Sequence, residues 1–185
     1  MLSNGMIIRK ASLEDVAATK AMQERSLRQL GAGFYPPEAV EAFLDLASTM
    51  DEAVVREGHY FITQTVGGRI VASAGWSQLL PGYAPLETDT RQAGDARRAT
   101  VRSVFVDPEL PRLGLGTAIM QVVEHDALKA GIEIFELKAT LSGVPFYRAL
   151  DYSEASAGHF DLGSVTFPYL NMYKTLVRRQ VGLRA

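Results

Sequence analysis

A chain of 185 residues, 47% hydrophobic and 22% charged, is large enough to bury a core of its own and reads as a single domain, 1–185, with its core over about 6–176. A net charge of −2 offers no basic stripe for nucleic acid, and the absence of cysteine excludes disulfides, thiolate metal sites and a cysteine nucleophile. No stretch approaches the ~18 apolar residues that span a bilayer, and Met1-Leu2-Ser3-Asn4-Gly5 lacks a charged segment leading into an apolar run, so a soluble cytoplasmic protein is expected.

Met6 to Arg9 is a short β-type run. Ser12 and Asp15 then stand at capping-box spacing, with Ser12 offering its oxygen to the Asp15 amide and the carboxylate reaching back. Val16, Met22 and Leu27 carry a helical stripe to about Leu30, punctuated by Gly31 and Gly33. Pro36-Pro37 opens a second helix with Val40, Phe43, Leu44 and Ala47 on its apolar face. Tyr60 to Val66 and Ile70 to Trp76 are β-rich runs joined by Gly67-Gly68, a two-glycine hairpin signal. The irregular stretch from Leu79 to Arg98 holds Pro81, Gly82, Pro85 and Gly94, and loops of that length inside a compact domain are usually functional or disordered. Thr100 to Val106 is a strong strand ended by Asp107-Pro108. A helix from about Gly116 to Ala130 follows, with Gly131 as its stop. Ile132 to Ala139 reads as strand, Val144 to Leu150 as a short helix, and Val165 to Leu176 contains a final strand. The reading is a mixed α/β sheet, β-α-α-β-β-β-α-β-α-β-β.

The segment from Val101 to Gly131, VRSVFVDPELPRLGLGTAIMQVVEHDALKAG, carries the chemistry. A strand runs into a loop holding Gly114-Leu115-Gly116, and a helix begins at once. The first turn of a helix presents amides without internal partners, the macrodipole adds positive charge there, and glycines let a phosphate come close, so this is an anion cradle. Arg112 stands beside it. Gly116 is followed by Thr117-Ala118 rather than by Lys-Ser/Thr, which disfavours a nucleoside triphosphatase, and Ile119 stands where a dinucleotide fingerprint needs its third small residue. A nucleotide-binding α/β protein is therefore the weaker reading. The histidines His59, His125 and His159 have no carboxylate at ligand spacing, so no metal is expected.

VFVDPELPRLGLGTAIM resembles the coenzyme A pyrophosphate loop of the GNAT N-acetyltransferase superfamily. GRIVASAGW, Gly68 to Trp76, resembles the family's third strand, and ATLSGVPFYRALDY, Ala139 to Tyr152, its strand-helix unit with a tyrosine. The order of elements matches as well, from Met6 to about Leu176, with two early helices, a three-stranded meander and a terminal hairpin. Two positions depart from the pattern. Pro111 replaces the glutamine or arginine that opens the loop, and Asp151 replaces the glycine before Tyr152, where an aspartate tolerates left-handed backbone.

The resemblance implies a GNAT fold, its mostly antiparallel sheet splayed at the cofactor site, and transfer of an acetyl group from acetyl-coenzyme A to a primary amine of a small molecule or protein by direct attack. Arg112, Leu113, Gly114, Leu115, Gly116 and Thr117 would hold the pyrophosphate, and the backbone of Val104, Phe105 and Val106 would pair with the pantetheine arm. A slot for the thioester would open between that strand and Ile134 to Ala139, and an amide near Phe105 or Val106 would polarise the thioester carbonyl. Tyr147 matches the family's general acid, a phenol of pKa about 10 facing a thiolate of about 8.5. Glu87, Asp89 and His159 are the candidates for a base, and Glu87, Asp89 and Asp95 together would favour a cationic acceptor, whose pocket Phe34-Tyr35-Pro36 and the 79–98 loop would shape. The other reading that Pro111 leaves open is a coenzyme A-binding regulatory module without catalysis. Edge strands at the end of the chain could join two copies as a homodimer.

Overall fold

The computed structural model describes residues 5–47, 49–50, 52–79 and 97–176. Strand β1, Ile7–Lys10, leads through a 3-10 turn, Leu13–Asp15, into helix α1, Val16–Gly31. The Asp15 carboxylate reaches back as the spacing predicts, accepting from the Ser12 amide at 2.7 Å and hydroxyl at 2.9 Å. Arg9 grips the same carboxylate through both oxygens at 2.8 Å. Helix α2, Pro37–Ala47, buries Ala39, Val40 and Leu44; the side chain of Ala47 lies outside the described residues.

A short helix α3, Glu52–Arg56, is absent from the sequence reading. Five residues are too few to display a helical period, and its buried pair Val54 and Val55 looks the same in any backbone. Strands β2, Tyr60–Gln64, and β3, Ile70–Ser77, form the expected hairpin. Its turn differs from a two-glycine loop. The Thr65 amide donates to the Arg69 carbonyl at 2.9 Å, so Val66, Gly67 and Gly68 all lie in the loop, and Gly68 alone of them takes a positive φ, 85°.

Strand β4, Arg98–Val106, helix α4, Leu115–Lys129, and strand β5, Ile134–Thr140, make the parallel unit, which needs a crossover helix where an antiparallel pair does not. Helix α5, Val144–Ala149, and the hairpin of β6, Ser153–Asp161, with β7, Thr166–Thr175, complete the fold. The seven strands lie in the order β1-β2-β3-β4-β5-β7-β6, antiparallel throughout except for β4 with β5. Strand β3 is buried along its whole length because α1 packs on one face and α4 on the other. Its small residues Ala72, Ser73, Ala74 and Gly75 let both helices approach. Val123, Ala127, Phe135 and Leu137 belong to the core under α4, whereas Met22, Val54 and Ile62 belong to a second cluster under α1 and α3.

Candidate active site

The site begins where β4 loses its neighbour. Among the described residues β4 pairs with β5 only at Arg98–Ile134, Ala99–Phe135 and Thr100–Glu136, so from Val101 onward the two strands part. On its other side β4 stays with β3 as far as Val106, but the register slips between Ser73 and Gly75. The extra residue of that bulge falls at Ser103, whose φ of 48° lies in the left-handed region. Beyond the bulge, the Asp107 amide donates to the Val71 carbonyl at 2.8 Å. Strand alternation then turns the Val106 amide to the opposite edge, toward the parting.

Asp107 fixes the start of the loop. Its side chain is fully buried, it takes the Arg69 guanidinium at 2.6 Å and the Glu109 amide at 3.0 Å, and Arg25 lies 3.7 Å away. The loop then rises into solvent through Pro111, Arg112, Leu113 and Gly114, all exposed. Arg112 at φ 58° and Gly114 at φ 70° bend the backbone on either side of Leu113. Gly114 is the N-cap of α4, and a Cβ there would meet nothing within 4 Å, so the space in front of it is open. The first bond of the helical ladder runs from the Ala118 amide to the Gly114 carbonyl at 2.9 Å. The amides of Leu115, Gly116 and Thr117 therefore precede the ladder, and the partial positive charge of the helix gathers there. Leu115 is buried and pins this turn to the core.

Gly116 also has a packing role that its motif does not show. A Cβ at this position would stand 3.0 Å from the Phe146 ring and 3.6 Å from Val106, so the missing side chain makes room for α5. Through that contact α5 rests on the head of α4 and the end of β4. Tyr147, next to Phe146, is buried, its ring edge-on to Phe146 at 5.2 Å and to Tyr152 at 5.5 Å. Burial pushes its phenol well above the ordinary tyrosine range, so it keeps its proton throughout the working range of pH. Asp151 takes the left-handed conformation, φ 65°, that the departure from glycine required. Behind it the Tyr152 hydroxyl meets Glu124 at 3.2 Å, and Lys174 binds both oxygens of that carboxylate at 2.8 and 2.9 Å.

The other candidates scatter. Glu87, Asp89 and Asp95 lie outside the described residues. His159 is exposed on β6, an outermost strand of the sheet, with β7 and β5 between it and the parting. His59 is engaged elsewhere: its Nδ1 lies 2.7 Å from Asp126, it stacks on Trp76 at 3.9 Å, and the Trp76 indole donates to the same carboxylate at 2.9 Å. His125 is exposed on α4. Phe34 is exposed, while the Tyr35 hydroxyl accepts from the Leu141 amide at 2.6 Å and donates to the Pro168 carbonyl at 2.9 Å. Those bonds join the α1–α2 turn to the start of the loop before α5 and to β7. Among the described residues no group of metal-ligating side chains assembles, and no helix is long and apolar enough to cross a membrane.

The parting between the two parallel strands thus lies beside a helix head whose first-turn amides are open. The comparisons with known proteins carry the identification further. The family model of the acetyltransferase (GNAT) domain matches residues 32–173, most of the chain, and the protein belongs to that family of N-acetyltransferases. A GCN5-related N-acetyltransferase from Rhodopseudomonas palustris superposes with a TM-score of 0.70 at 23% identity, covering 95% of this chain and 98% of that one. The PaiA N-acetyltransferase from Thermoplasma acidophilum, solved with coenzyme A, gives a TM-score of 0.66 at 17% identity over 92% and 98%. An N-acetyltransferase from Staphylococcus aureus gives 0.64 at 14% identity over 93% and 99%. No curated protein matches the chain. The mixed, mostly antiparallel open sheet expected from the sequence is the fold these proteins share.

Proposed function

We propose that this N-acetyltransferase takes its acetyl group from acetyl-coenzyme A and passes it directly to a primary amine. The observation that carries the reading is the left-handed N-cap Gly114 at the exposed head of α4, beside the unpaired edge of Val104 to Val106. The amides of Leu113 to Thr117 hold the diphosphate, and Arg112 adds a charge-assisted contact. The edge of Val104, Phe105 and Val106 pairs with the amides of the pantetheine arm as an added strand does. Pro111 has no N–H, so the cradle works from Arg112 onward.

In the reaction the amine nitrogen attacks the thioester carbonyl carbon, the C–N bond forms and the C–S bond breaks. The amine gives up a proton to a base or to solvent, and the departing sulfur receives one from Tyr147. Burial raises the phenol's proton affinity, so Tyr147 still carries its proton when the sulfur departs. The turn of Phe34-Tyr35-Pro36 shapes the acceptor side, with Tyr35 holding it against the loop before α5. We read the protein as cytoplasmic and free of a resident metal. A homodimer would form through an outer strand, β1 or β6, and sedimentation tests that.

Calorimetry with acetyl-coenzyme A tests the donor site, with binding expected and its absence at millimolar concentration excluding the reading. Release of the thiol in the presence of a panel of amines then identifies the acceptor.

A further inference from the structure

Gln23, Tyr60 and Ser73, from α1, β2 and β3, are buried polar residues that the cradle does not use. The Gln23 Nε2 donates to the Tyr60 hydroxyl at 2.7 Å and to the Ser73 hydroxyl at 3.0 Å. Tyr60 in turn donates to the Ser103 carbonyl at 3.0 Å, and Ser73 donates to the same oxygen at 3.3 Å. The protons balance: an amide nitrogen has two, each hydroxyl has one to pass on, and a carbonyl has two lone pairs to receive them. Gly75 makes the room, since a Cβ there would lie 2.4 Å from the Tyr60 ring and 2.9 Å from the His59 carbonyl. Burial pushes the Tyr60 phenol upward, so it remains a donor.

The Tyr60 and Ser73 hydroxyls, both held by Gln23, thus converge on one backbone oxygen, that of the single β4 residue with positive φ, at the bulge where β4 slips against β3. In a trans peptide the carbonyl of residue i and the amide of residue i+1 point in opposite directions. Holding the Ser103 carbonyl against Tyr60 and Ser73 therefore directs the Val104 amide away from them, at the stretch where β5 has diverged. A donor aimed in advance stabilises a developing oxyanion without reorganisation.

We propose that Gln23, Tyr60 and Ser73 are positioning residues that aim the Val104 amide at the thioester carbonyl. The inference rests on the acetyl-coenzyme A reading, and its test separates the two. Infrared difference spectra of acetyl-coenzyme A labelled with carbon-13 at the thioester carbonyl need no acceptor. In the wild type the bound carbonyl stretch is expected to move to lower frequency than in water. Tyr60→Phe keeps the ring beside Gly75 and removes the hydroxyl; it is expected to lose most of that downshift while calorimetric affinity stays within about twofold. Once the acceptor is known, kcat should fall ~10-fold with KM for acetyl-coenzyme A unchanged, short of the ~10²-fold or more that follows loss of an oxyanion donor. Ser73→Ala, measured alongside, gives the same readout if Tyr60→Phe does not fold. A downshift of equal size in the folded variants, or none in the wild type with ligand bound, overturns the inference and leaves the donor site standing. Failure of the wild type to bind the labelled thioester overturns both.

Discussion

Tyr147 owes its proton to burial among Phe146, Tyr152 and the Gly143 turn, where a Cβ on Gly143 would come within 3.3 Å of its ring. Removing the hydroxyl as Tyr147→Phe keeps that packing. Turnover is expected to fall ~10²-fold or more with affinity for acetyl-coenzyme A unchanged, read by thiol release and calorimetry. The acid form is the one present below the folded pKa, and burial moves that pKa upward. The pH profile of turnover should therefore show no fall from this group until above the ordinary phenol range of ~10. Asp15 works in the opposite direction. The Arg9 guanidinium, then the Ser12 amide and hydroxyl, hold its carboxyl far below the usual range against the opposing effect of burial. A depressed folded pKa stabilises the protein above the unfolded value of ~3.9, and the contribution is lost as pH falls through the folded pKa. Asp15→Asn should thus be less stable than the wild type at pH 7, and the gap in urea midpoints should close as the pH drops below ~4.

At the scale of elements, the two glycines of the cradle do different things, and substituting them separates the roles. Gly114→Ala places a side chain in open space but in left-handed backbone, which costs ~1–2 kcal/mol. If the backbone relaxes to escape that strain, the amides of the first turn of α4 swing away, so loss of acetyl-coenzyme A affinity is the expected signature. Gly116→Ala adds a methyl 3.0 Å from Phe146. The crowding displaces α5, costs ~1–3 kcal/mol, and should lower turnover through Tyr147 more than it lowers affinity. Thermal melting and calorimetry on the pair check this; identical profiles would show that the glycines share one role.

At the scale of the whole molecule, the slot is a consequence of one parallel pair in an otherwise antiparallel sheet. Strand β5 is held on its other side by β7 over seven register pairs, from Ile134–Thr175 to Thr140–Tyr169, so it cannot follow β4 when the two diverge. Phe135, fully buried where β4 and β5 still pair, sits 6.5 Å from the Trp76 ring under α4. Phe135→Ala opens a cavity there and is expected to cost ~3–5 kcal/mol, measured by urea unfolding. Because the change lies below the parting, whatever protein stays folded should keep its affinity for acetyl-coenzyme A.

The sequence by itself determined the alternation of strands and helices, the glycine loop from Arg112 to Thr117 that opens α4 and the aspartate turn before Tyr152, because each depends on neighbours a few residues away. Period, capping and glycine punctuation are local properties, so they leave a local record. It did not reveal α3, too short to show a period, nor the three-residue turn between β2 and β3. Nor did it show that Gly116 makes room for Phe146, 30 positions later in the chain. Gln23, Tyr60, Ser73 and Ser103 come from four separate elements and look unremarkable in each. Their meeting around one carbonyl, and the left-handed turn of β4 that goes with it, exist only once the sheet has assembled and α1 has closed over it. Contacts between residues far apart in the chain carry no sequence period, and the tertiary structure alone decides them.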